Sequence, residues 1–181
     1  MKPPTEHDAP TQWALAARGG DPLAQAAFVR ATQAEVWRFV AALVDTGVAD
    51  DLTQETYLRA FRALPRFEAR SSVRTWLLGI ARRTCADHLR TVVRRRRLQD
   101  RLAAEMAFDG SHPDPSSQVS AVTLLDRLSC DRREAFVLTQ LLGLSYEQAA
   151  ATLEVPVGTI RSRVARARAD LVADVVTALA A

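Results

Sequence analysis

Apolar residues recur at spacings of three and four along most of this 181-residue chain, and no stretch shows the strict alternation of a half-buried strand. A chain patterned this way buries its apolar surface by packing helix on helix. From Asp21 to Leu43 the residues Leu23, Ala26, Ala27, Phe28, Val36, Trp37, Val40 and Leu43 form one amphipathic pattern, opened by Asp21-Pro22 after Gly19-Gly20 and closed before Gly47. A second helix is expected from residue 48 or 49 to Leu64, stopped by Pro65. A third runs from Val73 past Arg90 and turns Trp76, Leu77, Ile80, Cys85 and Leu89 toward a core. Between Asp109 and Ser117 the chain reads DGSHPDPSS, which combines Gly, two Pro and three Ser with no apolar residue and marks a linker. The expected fold is therefore all-α, with two small helical domains joined by a flexible linker. A disordered N-terminal tail would cover residues 1–11, the first domain 12–98, the linker 99–118 and the second domain 119–178.

Composition excludes several classes of function. No apolar run approaches the roughly 18 residues of a membrane span, and Met1–Pro10 is too polar for a signal peptide. The expected location is the cytoplasm, with no membrane contact. Cys85 and Cys130 lack CxxC spacing, and His7, His88 and His112 are scattered, so no disulfide framework, metal site or cofactor is encoded. The net charge of +3 is unevenly placed: residues 66–101 sum to +8 and residues 158–181 to +2, with acidic stretches before, between and after the first zone. Of the 24 basic residues, 23 are arginine, the side chain that grips a phosphate or a guanine edge with two hydrogen bonds. Two separate basic zones suit a polyanion held at two places.

The second zone has its own architecture. Leu124, Leu125 and Leu128 begin an apolar face that continues through Ala135, Phe136, Leu138, Leu141 and Leu142, and Gly143 ends it. Ser145 and Gln148 have capping-box spacing, which starts a short helix with Ala149, Ala150 and Leu153 buried. After Glu154–Gly158 a further helix carries Ile160, Val164, Ala167 and Leu171 as one stripe and shows Thr159, Arg161, Ser162, Arg163, Arg166 and Arg168 on its other faces. A short helix, a tight turn and an Arg-rich second helix match a helix-turn-helix, whose second helix enters the major groove.

Two segments of the first domain point beyond folding. Asp50–Phe61 (DDLTQETYLRAF) places Asp51, Gln54, Glu55 and Leu58 on neighbouring turns of one face, with Leu52, Thr56 and Ala60 turned inward. Such a face suits a basic helical partner. Arg66–Arg90 (RFEARSSVRTWLLGIARRTCADHLR) sets a basic, Ser-containing stretch before an Arg-studded helix with an aromatic near its start. Arginines beside an aromatic are what a single-stranded nucleic-acid site needs, one to hold the backbone and one to accept an unstacked base. Trp76 reads equally as plain core and as a wedge at the edge of melted DNA.

On these three segments the chain resembles the extracytoplasmic-function (ECF, group 4) sigma factors of the sigma-70 family, over about residues 12–175 and in the family's order. DLTQETYLRAF is similar to the polymerase-clamp-binding region, SSVRTWLLGIARRTCADHLR to the promoter-melting and −10-reading region, and LLGLSYEQAAATLEVPVGTIRSRVARAR to the −35-reading region. The resemblance implies a sigma2-like bundle, a sigma4-like helix-turn-helix and a role in directing promoter-specific transcription initiation. It implies that Asp51, Gln54, Glu55 and Leu58 meet the β′ clamp helices of RNA polymerase core. Arg70, Ser71, Ser72 and Arg74 would line the loop that captures a flipped −10 base, with Trp76, Arg82, Arg83, His88 and Arg90 near the upstream edge of that element. Gly158, Thr159, Arg161, Ser162, Arg163, Ala165, Arg166 and Arg168 would meet the −35 element. Core polymerase (through its β′ clamp helices and β flap) and promoter DNA are the implied partners, and the family admits an anti-sigma factor that the sequence does not specify. Arg83 stands where many members have Asn, and Ala165 where others carry a larger side chain, so base preferences do not transfer.

Two rival functions make different demands on these residues. A transcriptional regulator with a sensor domain would share the helix-turn-helix but bind duplex tightly without polymerase. An enzyme would need more than the adjacent pair Asp87 and His88, whose side chains point in different directions on a helix and which no nucleophile, metal set or phosphate loop accompanies. The expectation is a non-catalytic protein with no catalytic residues and no small-molecule substrate.

Overall fold

In the computed structural model, residues 8–105 and 121–180 are described, and all regular structure among them is helical. The first domain comprises α1 (Ala9–Ala17), α2 (Pro22–Leu43), α3 (Ala49–Ala63) and α4 (Val73–Glu105), with single 3-10 turns at Thr46–Val48 and Leu64–Arg66. The second comprises α5 (Ala121–Asp126), α6 (Cys130–Phe136), a π-helical turn (Val137–Leu141), α7 (Tyr146–Leu153) and α8 (Val157–Ala180).

Helix α2 starts where Asp21-Pro22 places it, because the Asp21 carboxylate accepts the Leu23 amide at 2.9 Å and proline tolerates the first helical turn. Its buried face is Ala24, Phe28, Thr32, Val36, Phe39, Val40 and Leu43, so the expected stripe is rotated: Leu23 is exposed and Trp37 lies at the surface. On α3 the buried side includes Thr53 and Tyr57 as well as Thr56 and Ala60. The Phe28 ring meets Tyr57 and Phe61 edge-on, with centroids 6.0 and 6.1 Å away, and the Tyr57 hydroxyl lies 2.7 Å from Thr32 Oγ1. Burial pushes the Tyr57 pKa up to about 12.

Two expected boundaries are corrected. Residues 9–11, assigned to the tail, open α1: Asp8 caps it by accepting the Thr11 amide at 3.0 Å, and Pro10 occupies its first turn. Thr11 is buried, and its hydroxyl accepts the Val73 amide at 2.9 Å, which supplies a partner to one of the free N–H groups at the start of α4. Residues 99–105, assigned to the linker, continue α4. Residues 1–7 of the expected tail and 106–118 of the expected linker lie outside the described residues.

In the second domain, the π-turn is a further departure from the sequence reading. The Leu142 amide donates to the Val137 carbonyl at 3.0 Å, five residues back, and the extra residue turns Leu141 to solvent while Leu142 stays buried. Gly143 then adopts a φ of 68°, which ends the helix. The Ser145–Gln148 capping box forms as expected, with both of its hydrogen bonds present, at 3.1 and 2.9 Å. Ile160, Val164 and Ala167 are buried and Leu171 is half-buried.

Thr11→Val should lower unfolding free energy by about 1 kcal/mol, the net worth of one buried hydrogen bond, and should expose the Val73 amide to hydrogen exchange while leaving the Leu138 amide of the second domain protected. Urea denaturation with amide exchange checks both.

Candidate nucleic-acid interface

The loop between α3 and α4 builds a small recess. Phe67 is buried and its ring lies 4.8 Å from that of Trp76, tilted by 41°. Ala69 is held at a φ of 51°, a left-handed conformation costly for a residue with a Cβ. The turn that results leaves a pocket of about 190 Å3 edged by Arg66, Phe67, Arg70, Ser71 and Trp76. Trp76 is thus half-buried against Phe67 and also lines the recess, so it has both the packing partner of a core residue and the open edge of a wedge. Arg70 and Ser71 are exposed, and among the described residues Arg70 pairs with the exposed Glu68. The Ser72 hydroxyl accepts the Thr75 amide at 3.3 Å, so it serves the start of α4.

Farther along α4 the candidate arginines point at the second domain. Arg74 pairs with Glu35 of α2 and also donates to the Leu142 carbonyl that follows the π-turn. Arg82 Nε donates to Glu134 Oε2 of α6 at 2.9 Å. Arg83 pairs with Glu154, the left-handed residue at the α7–α8 turn. Gly79 lies beside α7, where a Cβ would come 3.8 Å from the Thr152 carbonyl oxygen. Glu134 is buried to 3% exposure, and its desolvation raises the carboxyl pKa above the ordinary 4.5 against the opposing pull of Arg82. At its α2 side the seam opens into an apolar groove of about 470 Å3 lined by Trp37, Ala41, Leu124, Leu125, Phe136 and Leu141. The two domains are therefore docked through a shared apolar core and ion pairs on α4, and incompletely packed against α2.

His88 is half-buried, and Arg90 is exposed beside Asp87. Asp87 is also held by Arg59 at 2.6 Å, and the hydrogen bonds from Arg59 and then Arg90 keep its carboxyl below the usual range.

On α8, Gly158, Arg161, Ser162, Ala165 and Arg166 are exposed together, with Thr159 half-buried at the helix start. Arg163 instead turns back to pair with Asp131, and Arg168 donates to Gln140 Oε1 at 2.6 Å. These two pairs tie α8 to α6 and the π-turn, and Arg168 itself stays exposed. On α3, Asp51, Gln54 and Leu58 are exposed along one side, while Glu55 is half-buried and holds Arg59 at 2.7 Å. The residues that sequence reasoning missed are Glu35, Glu134 and Glu154, the partners of the α4 arginines. Glu134 carries the one available signal, a carboxylate set directly before the apolar run Ala135-Phe136.

Comparison with known proteins matches residues 28–97 to Sigma-70 region 2 and residues 119–171 to Sigma-70, region 4. The ECF RNA polymerase sigma factor SigC of Mycobacterium tuberculosis is 54% identical over 172 residues, covering 94% of this chain and 93% of its own length. The chain belongs to the ECF sigma factors of the sigma-70 family. Its fold is similar to the sigma factor RpoE of Bartonella quintana, solved with the anti-sigma factor NepR, at a TM-score of 0.63 and 33% identity over 79% of this chain and 91% of that one. It is similar also to CnrH in complex with the cytosolic domain of CnrY, at a TM-score of 0.71 and 25% identity over 94% of this chain and 99% of that one. The sigma factor directs promoter-specific transcription. No described helix is long and apolar enough to cross a membrane.

Arg82→Ala leaves a buried carboxylate without its cation and should weaken docking of the two domains by about 2 kcal/mol. Glu134→Gln keeps an acceptor for Arg82 without a charge to desolvate and should leave docking as tight or tighter at neutral pH. Because the folded pKa of Glu134 is raised, its protonation favours the docked form below the ordinary 4.5, and that contribution fades as pH rises through the raised value. Inter-domain distances from small-angle scattering between pH 4.5 and 7.5 should show this trend in the parent chain and lose it in Glu134→Gln.

Proposed function

We propose that the sigma factor works as a non-catalytic specificity subunit in the cytoplasm, in which the two docked domains separate to take hold of the −10 and −35 elements of one promoter. The observation that carries this reading is the ordered basic surface. A recess for an unstacked base, an Arg-studded helix and an exposed helix-turn-helix face follow one another along the chain and fall in the regions matched to Sigma-70 regions 2 and 4.

In this reading Arg70, Ser71 and Trp76 edge the pocket that receives a flipped −10 base. Unstacking costs a few kcal/mol, so selectivity comes from which base fills the pocket well enough to offset it. Arg82, Arg83, His88 and Arg90 hold the DNA at the upstream edge. Arg161, Ser162, Ala165 and Arg166 read the −35 major groove, and the start of α8 meets the adjacent phosphate through the Gly158 amide and the Thr159 hydroxyl. Asp51, Gln54 and Leu58, with Glu55 at the margin, dock on the β′ clamp helices of core polymerase, and the second domain meets the β flap.

The ion pairs of α4 set a condition on this mechanism. Arg74, Arg82 and Arg83 are engaged by Glu35, the Leu142 carbonyl, Glu134 and Glu154. They cannot grip phosphates at the same time. The docked arrangement is a resting form, and polymerase and promoter shift the population to the separated form by binding it alone. The RpoE and CnrH structures were solved with an anti-sigma factor and with the cytosolic domain of CnrY, and a protein of that kind is a partner for this chain too.

Transcription in vitro with core polymerase on genomic DNA is the direct test, with a discrete set of start sites as the expected product. No increase over core alone would overturn the reading. On a promoter mapped this way, Arg161→Ala should cost about 1–3 kcal/mol of discrimination at one −35 position if the side chain contacts a base edge. Asp51→Arg, which breaks no ion pair in the sigma factor, should weaken core binding at least tenfold in a pull-down titration while its circular dichroism is unchanged.

A further inference from the structure

The chain has two cysteines, Cys85 on α4 and Cys130 at the start of α6, and both are free thiols. They belong to different domains and show no motif spacing, yet the docking of the domains brings them to one place. Arg82 Nε donates to Glu134 Oε2 at 2.9 Å and fixes α4 against α6. Cys85 lies one turn beyond Arg82 on α4, and Cys130 one turn before Glu134 on α6. The Cys130 thiol approaches Glu134 Oε1 at 3.9 Å. Cys130 also edges an open groove with Ala86, Leu89 and Arg90, on the turn of α4 that follows Cys85. Cys85 is buried to 1% exposure in the core that the two domains share, whereas Cys130 is exposed.

The surroundings hold both thiols protonated. Burial, followed by the charges of Glu134 and Cys130, pushes the Cys85 thiol up to about 12. Desolvation, Glu134 and Asp131 raise the Cys130 thiol as well, against the pull of Arg133 and Arg82. Protonated thiols react slowly, so a sustained oxidant is required, and it meets the exposed sulfur first.

We propose that Cys130 and Cys85 form a reversible oxidation site, at which hydrogen peroxide joins the two domains through a disulfide. The Cys130 sulfur attacks one peroxide oxygen and the O–O bond breaks. The products are a Cys130 sulfenic acid and one water, which carries away the thiol proton. The Cys85 sulfur then attacks the oxidised sulfur and the S–O bond breaks. The hydroxide that leaves takes the Cys85 proton as a second water. Two thiols and one peroxide thus give one disulfide and two waters, and a dithiol reductant reverses the bond by exchange. A disulfide needs Cα atoms within about 7 Å, so the bond forms in the docked arrangement and holds it. Its consequence rests on the reading of the preceding subsection: the linked form keeps Arg74, Arg82 and Arg83 engaged by their partners and away from the promoter. In a reducing compartment such a bond is transient and reports oxidant, with no part in holding the fold.

The test treats the full chain with hydrogen peroxide, removes the oxidant, and only then adds core polymerase. Peptide mapping should find Cys85 joined to Cys130 within one chain, and dithiothreitol should return both thiols. On a promoter mapped from its own start sites, the oxidised parent should initiate about tenfold less than the reduced parent, because the competent form is withdrawn. Dithiothreitol should restore that activity. Cys130→Ser, altered at an exposed position, should form no intramolecular link and keep its activity through the same treatment. Cys85 left free while Cys130 is oxidised alone, or joined to a second chain, would overturn the pair. Equal loss of activity in Cys130→Ser would place the damage elsewhere and overturn the site as a switch, as would a disulfide that forms without changing transcription. A reduced parent that selects no promoter would bring down the function reading and the switch with it, while the peptide map would still judge the disulfide by itself.

Discussion

The buried carboxylate of Glu134 constrains how the two halves of this protein meet. A carboxylate at 3% exposure needs a cation and hydrogen-bond donors within reach, and here the Nε of Arg82, from the other domain, approaches to 2.9 Å. Arg83–Glu154 and Arg74 with the Leu142 carbonyl repeat the pattern on either side. The relative placement of the domains is consequently set by polar groups of defined geometry. Apolar contact joins them as well, because the buried residues of both domains form one continuous core, although the groove beside Trp37 and Leu141 is left unfilled. Ion pairs with partial solvent access contribute little net free energy once desolvation is counted. An interface built this way specifies one arrangement and still comes apart when a stronger polyanion competes for the same arginines.

Helix α4 is the common frame for everything the first domain does. Its first turn is anchored by Thr11 from α1, its next turns carry Trp76 beside the recess, its middle holds Arg82 and Arg83, and its exposed continuation carries Arg90 to Arg97. A single helix keeps these groups in fixed order at 1.5 Å per residue, which under the proposed promoter reading would keep their contacts in register. The strain at Ala69 belongs to the same design, because the left-handed turn there folds the loop back over the Trp76 ring. Backbone strain of this kind is held by surrounding packing, which the buried Phe67 supplies.

In the second domain the arginines of α8 divide between those that pair with α6 and the π-turn and those left unpaired. Arg163 turns back to Asp131, while Arg161, Ser162, Ala165, Arg166 and Arg168 are exposed, with Arg168 donating to Gln140. Arginines only a few residues apart on one helix thus divide into a set that positions α8 and a set that is free to meet a ligand. The π-turn contributes to this division. By adding one residue between α6 and Gly143 it turns Leu141 outward and brings the Leu142 carbonyl to Arg74, linking the helix-turn-helix to α4.

The all-helical class, the starts of α2 and α7, the helix-turn-helix and the two basic zones were legible in the residues themselves, because each rests on local chemistry. An Asp-Pro start, a Ser-Gln capping box, apolar residues three and four apart and a local excess of arginine act within one or two turns, whatever the rest of the chain does. Helix α1 could have been read from Asp8 and Pro10, but its buried residues Thr11, Ala14 and Ala17 are small and give almost no apolar period. Contacts between segments distant in sequence were of a different kind. That Thr11 serves Val73, that Arg82 meets Glu134 fifty-two residues later, that Arg163 faces inward and Arg161 outward, and that a π-turn displaces Leu141 all depend on which surfaces pack together. The sequence by itself determined the kind of elements and the charge they carry, since those follow from short-range geometry. Only the tertiary structure decided which arginines are engaged and which are free, because pairing requires two side chains to arrive at one place and local sequence holds no record of that distance.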